Sequence, residues 1–131
     1  MRVVFDTNIL LSAFLTQGGV AQKLFERAVA KYTVLTSEYI LAEATEKLAI
    51  KLNVPEDKIN AFIRYVRVRM HIYSPAGNGK IDFEDPKDIP ILDLLHAGGV
   101  HYFITGDKKL LALKKHRQTL ILSLREALEL L

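Results

Sequence analysis

The chain has 131 residues, of which half are hydrophobic and none is cysteine, and its formal net charge is +3. These values fit one domain, 1–131, with a sizeable core, and they exclude a disulfide framework and thiolate catalysis. The apolar runs fall far short of the roughly 18 residues that a membrane span needs, and Asp6 disfavours a signal peptide, so we expect a soluble cytoplasmic protein without a membrane partner. The mild basic excess permits a polyanionic partner without requiring one.

Short runs rich in β-branched residues alternate along the chain with longer segments of helical spacing. The predicted strands are 2–5, 32–36, 71–74, 101–105 and 119–122. An apolar pattern of helical spacing follows Asp6, and further helices are predicted at 20–31, 38–52, 56–69, 88–97 and 107–115. This alternation indicates a three-layer α/β fold with a mostly parallel central sheet, and 75–80 is predicted to be a flexible loop.

Four acids come from four separate segments of this predicted fold. Asp6 follows the first strand in VVFDTN, Asp107 follows the fourth in YFITGD, and Asp88 opens a helix in DPKDIPILDLL. The carboxyl ends of parallel strands meet at one rim of an open sheet, where α/β proteins bind their ligands. Each of these acids is also explained by ordinary helix capping. Glu43 is not, because it lies inside its helix, where the alternative is a solvated side chain paired with Lys47.

In combination, these segments resemble the PIN domain, a family of metal-dependent nucleases that includes the VapC-type toxins of toxin–antitoxin pairs. VVFDTNIL, the acid after the second strand, DPKDIPILDLL and YFITGDKKLL cover nearly the whole chain in that order. For the third acid of the motif, Asp85, Asp88 and Asp93 compete; we choose Asp88, which shares a helix face with Asp85 but not with Asp93. The resemblance implies that the catalytic and metal-binding acids are Asp6, Glu43, Asp88 and Asp107. It implies as supporting residues Asn8, Thr105 and Asp85.

The chemistry of such a site follows from its charge. Carboxylates brought close together repel, so they take up protons or bind a hard cation. Oxygen ligands favour Mg²⁺ or Mn²⁺, and the four scattered histidines are not spaced as zinc ligands. These ions promote hydrolysis of a phosphodiester to 5′-phosphate and 3′-hydroxyl ends. The resemblance thus implies a Mg²⁺- or Mn²⁺-dependent endoribonuclease and toxin, with RNA and a cognate antitoxin as partners and a homodimeric assembly.

Cations near the acids offer a path for the nucleic-acid backbone. Lys47 and Lys51 follow Glu43 at i+4 and i+8 on one predicted helix face, and Lys108 and Lys109 directly follow the last acid. We predict that these four lysines bind phosphates. The alternative is that they are solvated side chains on ordinary helix faces.

Other functions fit the sequence less well. A phosphoacceptor receiver domain would carry two adjacent acids after the first strand, and a haloacid-dehalogenase-type phosphatase would carry D-x-D, whereas this chain has Asp6-Thr7-Asn8. GNGK lacks the remainder of a phosphate-loop motif. The remaining alternative is a non-catalytic PIN-fold module that binds RNA or protein. The presence of all four acids favours the nuclease.

Overall fold

The computed structural model describes residues 1–75 and 81–131, in which six strands form one sheet. The strands are β1 (Arg2–Phe5), β2 (Thr33–Thr36), β3 (His71–Ile72), β4 (Tyr102–Ile104), β5 (Lys115–His116) and β6 (Thr119–Leu122). Their spatial order is β3-β2-β1-β4-β6-β5, and the pairings are parallel except for antiparallel β5–β6. This arrangement confirms the predicted mixed α/β fold with a mostly parallel sheet.

Seven α-helices accompany the sheet within the described residues. They are α1 (Thr7–Leu15), α2 (Val20–Lys31), α3 (Glu38–Glu46), α4 (Glu56–Arg69), α5 (Ile89–Ala97), α6 (Lys108–Leu113) and α7 (Leu124–Leu130). A π-helical turn, Lys47–Lys51, continues α3, and a 3₁₀ turn, Pro86–Asp88, precedes α5. None of these helices, over the part of the chain that is described, is long and apolar enough to cross a membrane.

The central strand β1 is covered on both faces, as parallel strands between helical layers are. Val3, Val4 and Phe5 are each at most 1% exposed, so the uninterrupted apolar run VVF gives three consecutive core residues. Helix α2 instead buries one stripe, which comprises Ala21, Leu24, Phe25 and Ala28. The apolar spacing of that segment predicted this stripe.

Two predicted helices end differently from expectation. The segment 38–52 is not one α-helix, because its hydrogen bonding changes to the wider π pattern at Lys47. The segment 107–115 stops at Leu113, because Lys114 adopts a φ of 60° that ends the helix. The next two residues then pair with β6 as β5, a strand that was not predicted.

The third strand is also shorter than the predicted range 71–74, since only His71–Ile72 pair with β2. The predicted loop 75–80 lies, beyond Pro75, outside the described residues.

The topology brings the ends of distant segments together. Strand β1 lies between β2 and β4, and the Asp6 N–H donates to the carbonyl of Ile104 at 2.9 Å. Residues that follow β1, β2 and β4 therefore share one rim of the sheet, the rim on which the sequence placed the acids.

Candidate functional site

Asp6 is fixed by two hydrogen bonds at the carboxyl end of β1. Its Oδ1 accepts from the Thr7 N–H at 2.8 Å, and its Oδ2 accepts from the Thr105 hydroxyl at 2.6 Å. Thr105 is fully buried, and its Oγ1 also accepts from the Asp107 N–H at 3.0 Å. Thr105 therefore links two of the acids that the sequence singled out, because its hydroxyl bonds both the Asp6 carboxylate and the Asp107 N–H.

Glu43 reaches the same rim from α3. This helix starts directly after β2, where the Ser37 hydroxyl caps it by accepting from the Ile40 N–H at 3.2 Å. The hydroxyl of Thr7, which is 1% exposed, donates to Glu43 Oε1. Sequence reasoning missed Thr7, although its place between Asp6 and Asn8 at a strand end was the available signal.

Asp88 is a buried acid at the end of the 3₁₀ turn. It is 8% exposed, and its Oδ2 has no hydrogen-bond partner among the described residues. Asp85 caps the turn by accepting from the Lys87 N–H at 3.1 Å, and it pairs with Lys109 Nζ at 2.8 Å. Asp93 is also buried, on α5. The carboxylates whose charges act on Asp88 are those of Asp107, Asp85 and Asp6.

The acids interact electrostatically. Burial, followed by the charges of Asp107, Asp85 and Asp6, raises the pKa of Asp88 from its usual 3.8 to about 6. Burial also raises the pKa of Asp6; its two hydrogen bonds oppose this shift, and the charges of Glu43 and Asp107 add to it. Through these charges, Asp6 interacts with Glu43, Asp107 and Asp88.

The carboxylates are nevertheless held apart. Over 1–75 and 81–131, no three Asp, Glu or His side chains are grouped closely enough to hold one metal ion. Three of the acids are engaged in hydrogen bonds: Asp107 Oδ1 caps α6 by accepting from the N–H groups of Lys109 and Leu110, while Asp6 and Glu43 accept from threonine hydroxyls. Capping, the alternative explanation, is therefore real at Asp6 and Asp107 but not at Asp88, whose side chain makes no cap bond.

A cleft of about 590 Å³ lies beside Glu43. The residues that line it include Tyr39, Lys47, Ile50, Lys51 and Lys87. Glu43, Lys47 and Lys51 line the same cleft, as their spacing of four residues on one helix face predicted. Tyr39 and Lys87 were not predicted, because they come from segments far apart in sequence.

The other predicted residues occupy different positions. Asn8 is exposed on α1, and its Oδ1 accepts from Lys47 Nζ at 3.1 Å. Lys108 is exposed at the start of α6, and Lys109 is engaged by Asp85. Of the four predicted phosphate ligands, only Lys47 and Lys51 line the cleft.

Comparison with known proteins agrees with this architecture. The VapBC2 complex of Rickettsia felis, solved with a DNA fragment of its promoter, contains a chain 15% identical to this one, with a TM-score of 0.69 over 94% of this chain and 98% of that chain. VapC20 of Mycobacterium tuberculosis, described as a toxin that cleaves the sarcin–ricin loop, is 15% identical, with a TM-score of 0.56 over 85% of this chain and 94% of that chain. The comparison with curated proteins finds no match. The family model for the PIN domain matches residues 2–109, so this chain belongs to the PIN-domain family.

Proposed function

We propose that this protein is a Mg²⁺- or Mn²⁺-dependent endoribonuclease that hydrolyses phosphodiester bonds at the rim formed by Asp6, Glu43, Asp88 and Asp107. The observation that carries the proposal is the carboxylate of Asp88. It is buried, its Oδ2 lacks a hydrogen bond within the described residues, and burial, followed by the charges of other carboxylates, raises its pKa. Such a group costs stability when it is ionised, and a bound cation removes that cost.

The donor set fits a hard divalent cation. The four acids offer only oxygen ligands, as Mg²⁺ and Mn²⁺ prefer. In the described structure, no three acids are grouped closely enough to hold one ion, but Glu43 Oε2 and Asp107 Oδ2 make no hydrogen bond, so each would be free to turn toward a cation beside Asp88. When bound, the cation lowers the pKa of water and stabilises negative charge on the leaving oxygen of the phosphodiester.

Two threonines orient the acids of this rim, and two lysines beside it bind the substrate. Thr7 and Thr105 fix Glu43 and Asp6 by hydrogen bonds, which preserves their orientation while the substrate enters. Lys47 and Lys51 in the adjacent cleft attract the RNA backbone, which the acids alone would repel.

The biological setting that we propose is a toxin–antitoxin pair. Structural neighbours include a chain of a VapBC complex and a VapC toxin, and the matched chains are covered to 98% and 94% of their lengths. By analogy, RNA is the substrate, a cognate antitoxin is the partner, and the protein acts in the cytoplasm as a homodimer. The separation of the acids keeps a second candidate open, a PIN-fold module that binds RNA without cleaving it.

One cleavage experiment distinguishes the two candidates. A panel of RNA and single-stranded DNA is incubated with Mg²⁺, Mn²⁺ or EDTA, using the wild type and Asp6→Asn. The nuclease cleaves RNA with either metal, fails in EDTA, and loses activity by orders of magnitude in the variant. Equal cleavage in EDTA, or by the variant, contradicts the proposed site, and binding without cleavage under all conditions favours the second candidate.

A further inference from the structure

The cleft beside Glu43 is lined by two largely apolar side chains, which the proposed phosphate and metal chemistry does not explain. Tyr39, from the first turn of α3, is 38% exposed, and Ile50, from the π-helical turn, is 74% exposed. Both line the cleft next to Glu43. Its volume of about 590 Å³ is within the range of about 300–1,000 Å³ that small-ligand pockets occupy.

The charge of the cleft favours a ligand that carries phosphate. Lys47, Lys51 and Lys87 line it together with two acids, Glu43 and Glu46. The cations outnumber the acids even before any metal neutralises Glu43. A ligand suited to this cleft thus has an apolar, flat portion and anionic groups, as a nucleotide of the substrate chain has.

The ring of Tyr39 is held in place. Its hydroxyl donates to the carbonyl oxygen of Lys87 at 2.7 Å, which ties α3 to the turn that ends in Asp88. A tethered ring loses little conformational freedom when a base stacks on it. The same bond places Lys87 at the edge of the cleft beside the ring.

We propose that this cleft seats one nucleotide of the substrate next to the bond that is cut, with its base against Tyr39 and Ile50 and its phosphates near Lys47, Lys51 and Lys87. The inference rests on the proposed function and identifies residues that bind substrate there. Tyr39 thereby makes base contact, whereas the acids act on phosphate.

The test measures coupling between the ring and a single base. A labelled RNA oligonucleotide, and a series in which one position at a time is abasic, are titrated in EDTA by fluorescence anisotropy. The proteins are the wild type, Tyr39→Ala and Tyr39→Phe, with Tyr73→Ala as a matched control because Tyr73 is 42% exposed and does not line the cleft.

Base stacking predicts a specific pattern. Tyr39→Ala weakens binding of the intact RNA by about tenfold, and one abasic position weakens the wild type by a similar factor but leaves Tyr39→Ala unaffected. Tyr39→Phe keeps the ring and retains most of the affinity, and Tyr73→Ala retains all of it. Ile50→Ala weakens binding, in contrast to Val68→Ala, which removes an 81% exposed side chain elsewhere.

The failures are distinguishable. If Tyr39→Ala and every abasic position act independently, Tyr39 contacts no base and the inference is wrong, while metal-dependent cleavage still supports the proposed function. If Tyr39→Phe binds RNA as weakly as Tyr39→Ala, then RNA binding depends on the hydrogen bond from the Tyr39 hydroxyl to Lys87 rather than on the ring. The proposed base-binding site is again wrong in that case. A wild type that neither binds nor cleaves RNA contradicts both proposals.

Discussion

The two ends of the sheet satisfy their polar groups in different ways. At the amino end, the Arg2 guanidinium donates to the Gly98 carbonyl at 2.7 Å, and the hydroxyl of Thr119, which is fully buried, donates to the Val100 carbonyl at 2.6 Å. These bonds use backbone acceptors and bring no acid into the interior. The polar contacts at this end therefore stabilise the fold without an electrostatic cost.

At the carboxyl end, buried hydroxyls donate hydrogen bonds to carboxylates instead of to backbone carbonyls. Thr105 donates to Asp6 and Thr7 donates to Glu43, while the buried Oδ2 of Asp88 receives no hydrogen bond within the described residues. Like charges gather here at a cost in stability, whereas the opposite rim avoids that cost. A difference of this kind is typical of a functional site, where unfavourable electrostatics are retained.

The largest expected effect separates two buried acids of one segment. Asp88→Asn should lower metal-dependent cleavage by orders of magnitude, because it removes a proposed ligand, while Asp93→Asn should change it far less. Both residues are under 10% exposed, so the pair controls for burial. Initial rates with Mn²⁺ measure the difference, and a reversed order would assign the third acid to Asp93.

The next effect is on stability without metal. The pKa of Asp88 is raised from 3.8 to about 6, so the folded state holds this proton more tightly than the unfolded state does. Its contribution to stability is complete below pH 3.8 and is lost as the pH rises through about 6. Asp88→Asn avoids this loss and should therefore be more stable than the wild type at neutral pH in EDTA.

The shift sets an upper limit of about 3 kcal/mol for this gain, and solvent screening reduces it. Calorimetry in EDTA at acidic and neutral pH measures it, and the advantage of the variant should vanish at the acidic pH. Added Mn²⁺ should reverse the order, because it stabilises the wild type by about 2.7 kcal/mol at a hundred times its dissociation constant. A wild type indifferent to Mn²⁺ would contradict a metal site at this rim.

Asp6→Asn suits this stability experiment less well than Asp88→Asn, although Asn caps helices nearly as well as Asp. In the structure both oxygens of Asp6 accept hydrogen bonds, and an amide offers one acceptor only. Asp88 makes no cap bond, so its substitution by Asn isolates the charge.

The effect on RNA binding should be smaller. Lys47→Ala combined with Lys51→Ala should flatten the dependence of log K on log salt by a slope of about 0.7 per lost phosphate contact. Metal affinity should stay the same, since neither lysine is a ligand. The control is Lys23→Ala with Lys31→Ala on α2, whose side chains are exposed outside the cleft. An unchanged slope in the cleft variant would mean that these lysines are only solvated.

Sequence periodicity predicted five of the six described strands, each with ends within two residues, and it marked the acids that follow β1 and β4. Asp6 and Asp107 stand where an apolar run meets a helix start, and that signal is local. The cleft could not be predicted in this way. It includes Tyr39 and Lys87, which are far apart in sequence and meet through a hydrogen bond, and neither residue spacing nor composition encodes such a contact. Strand β5 was missed for a similar reason, since two polar residues pair only because β6 lies beside them.

The smallest effects compare three buried threonines of the sheet. Thr105→Val should cost about 1–3 kcal/mol, because the Asp107 N–H loses its acceptor and Asp6 loses a donor; it should also lower cleavage. Thr119→Val removes one bond at the other end and should cost about 1 kcal/mol without affecting cleavage. Thr36 is equally buried, but its hydroxyl has no partner within the described residues, so Thr36→Val should be neutral or slightly stabilising. Urea denaturation and cleavage rates of all three test this order, and a loss of cleavage in Thr119→Val equal to that in Thr105→Val would contradict the division of the sheet into a stabilising end and a functional end.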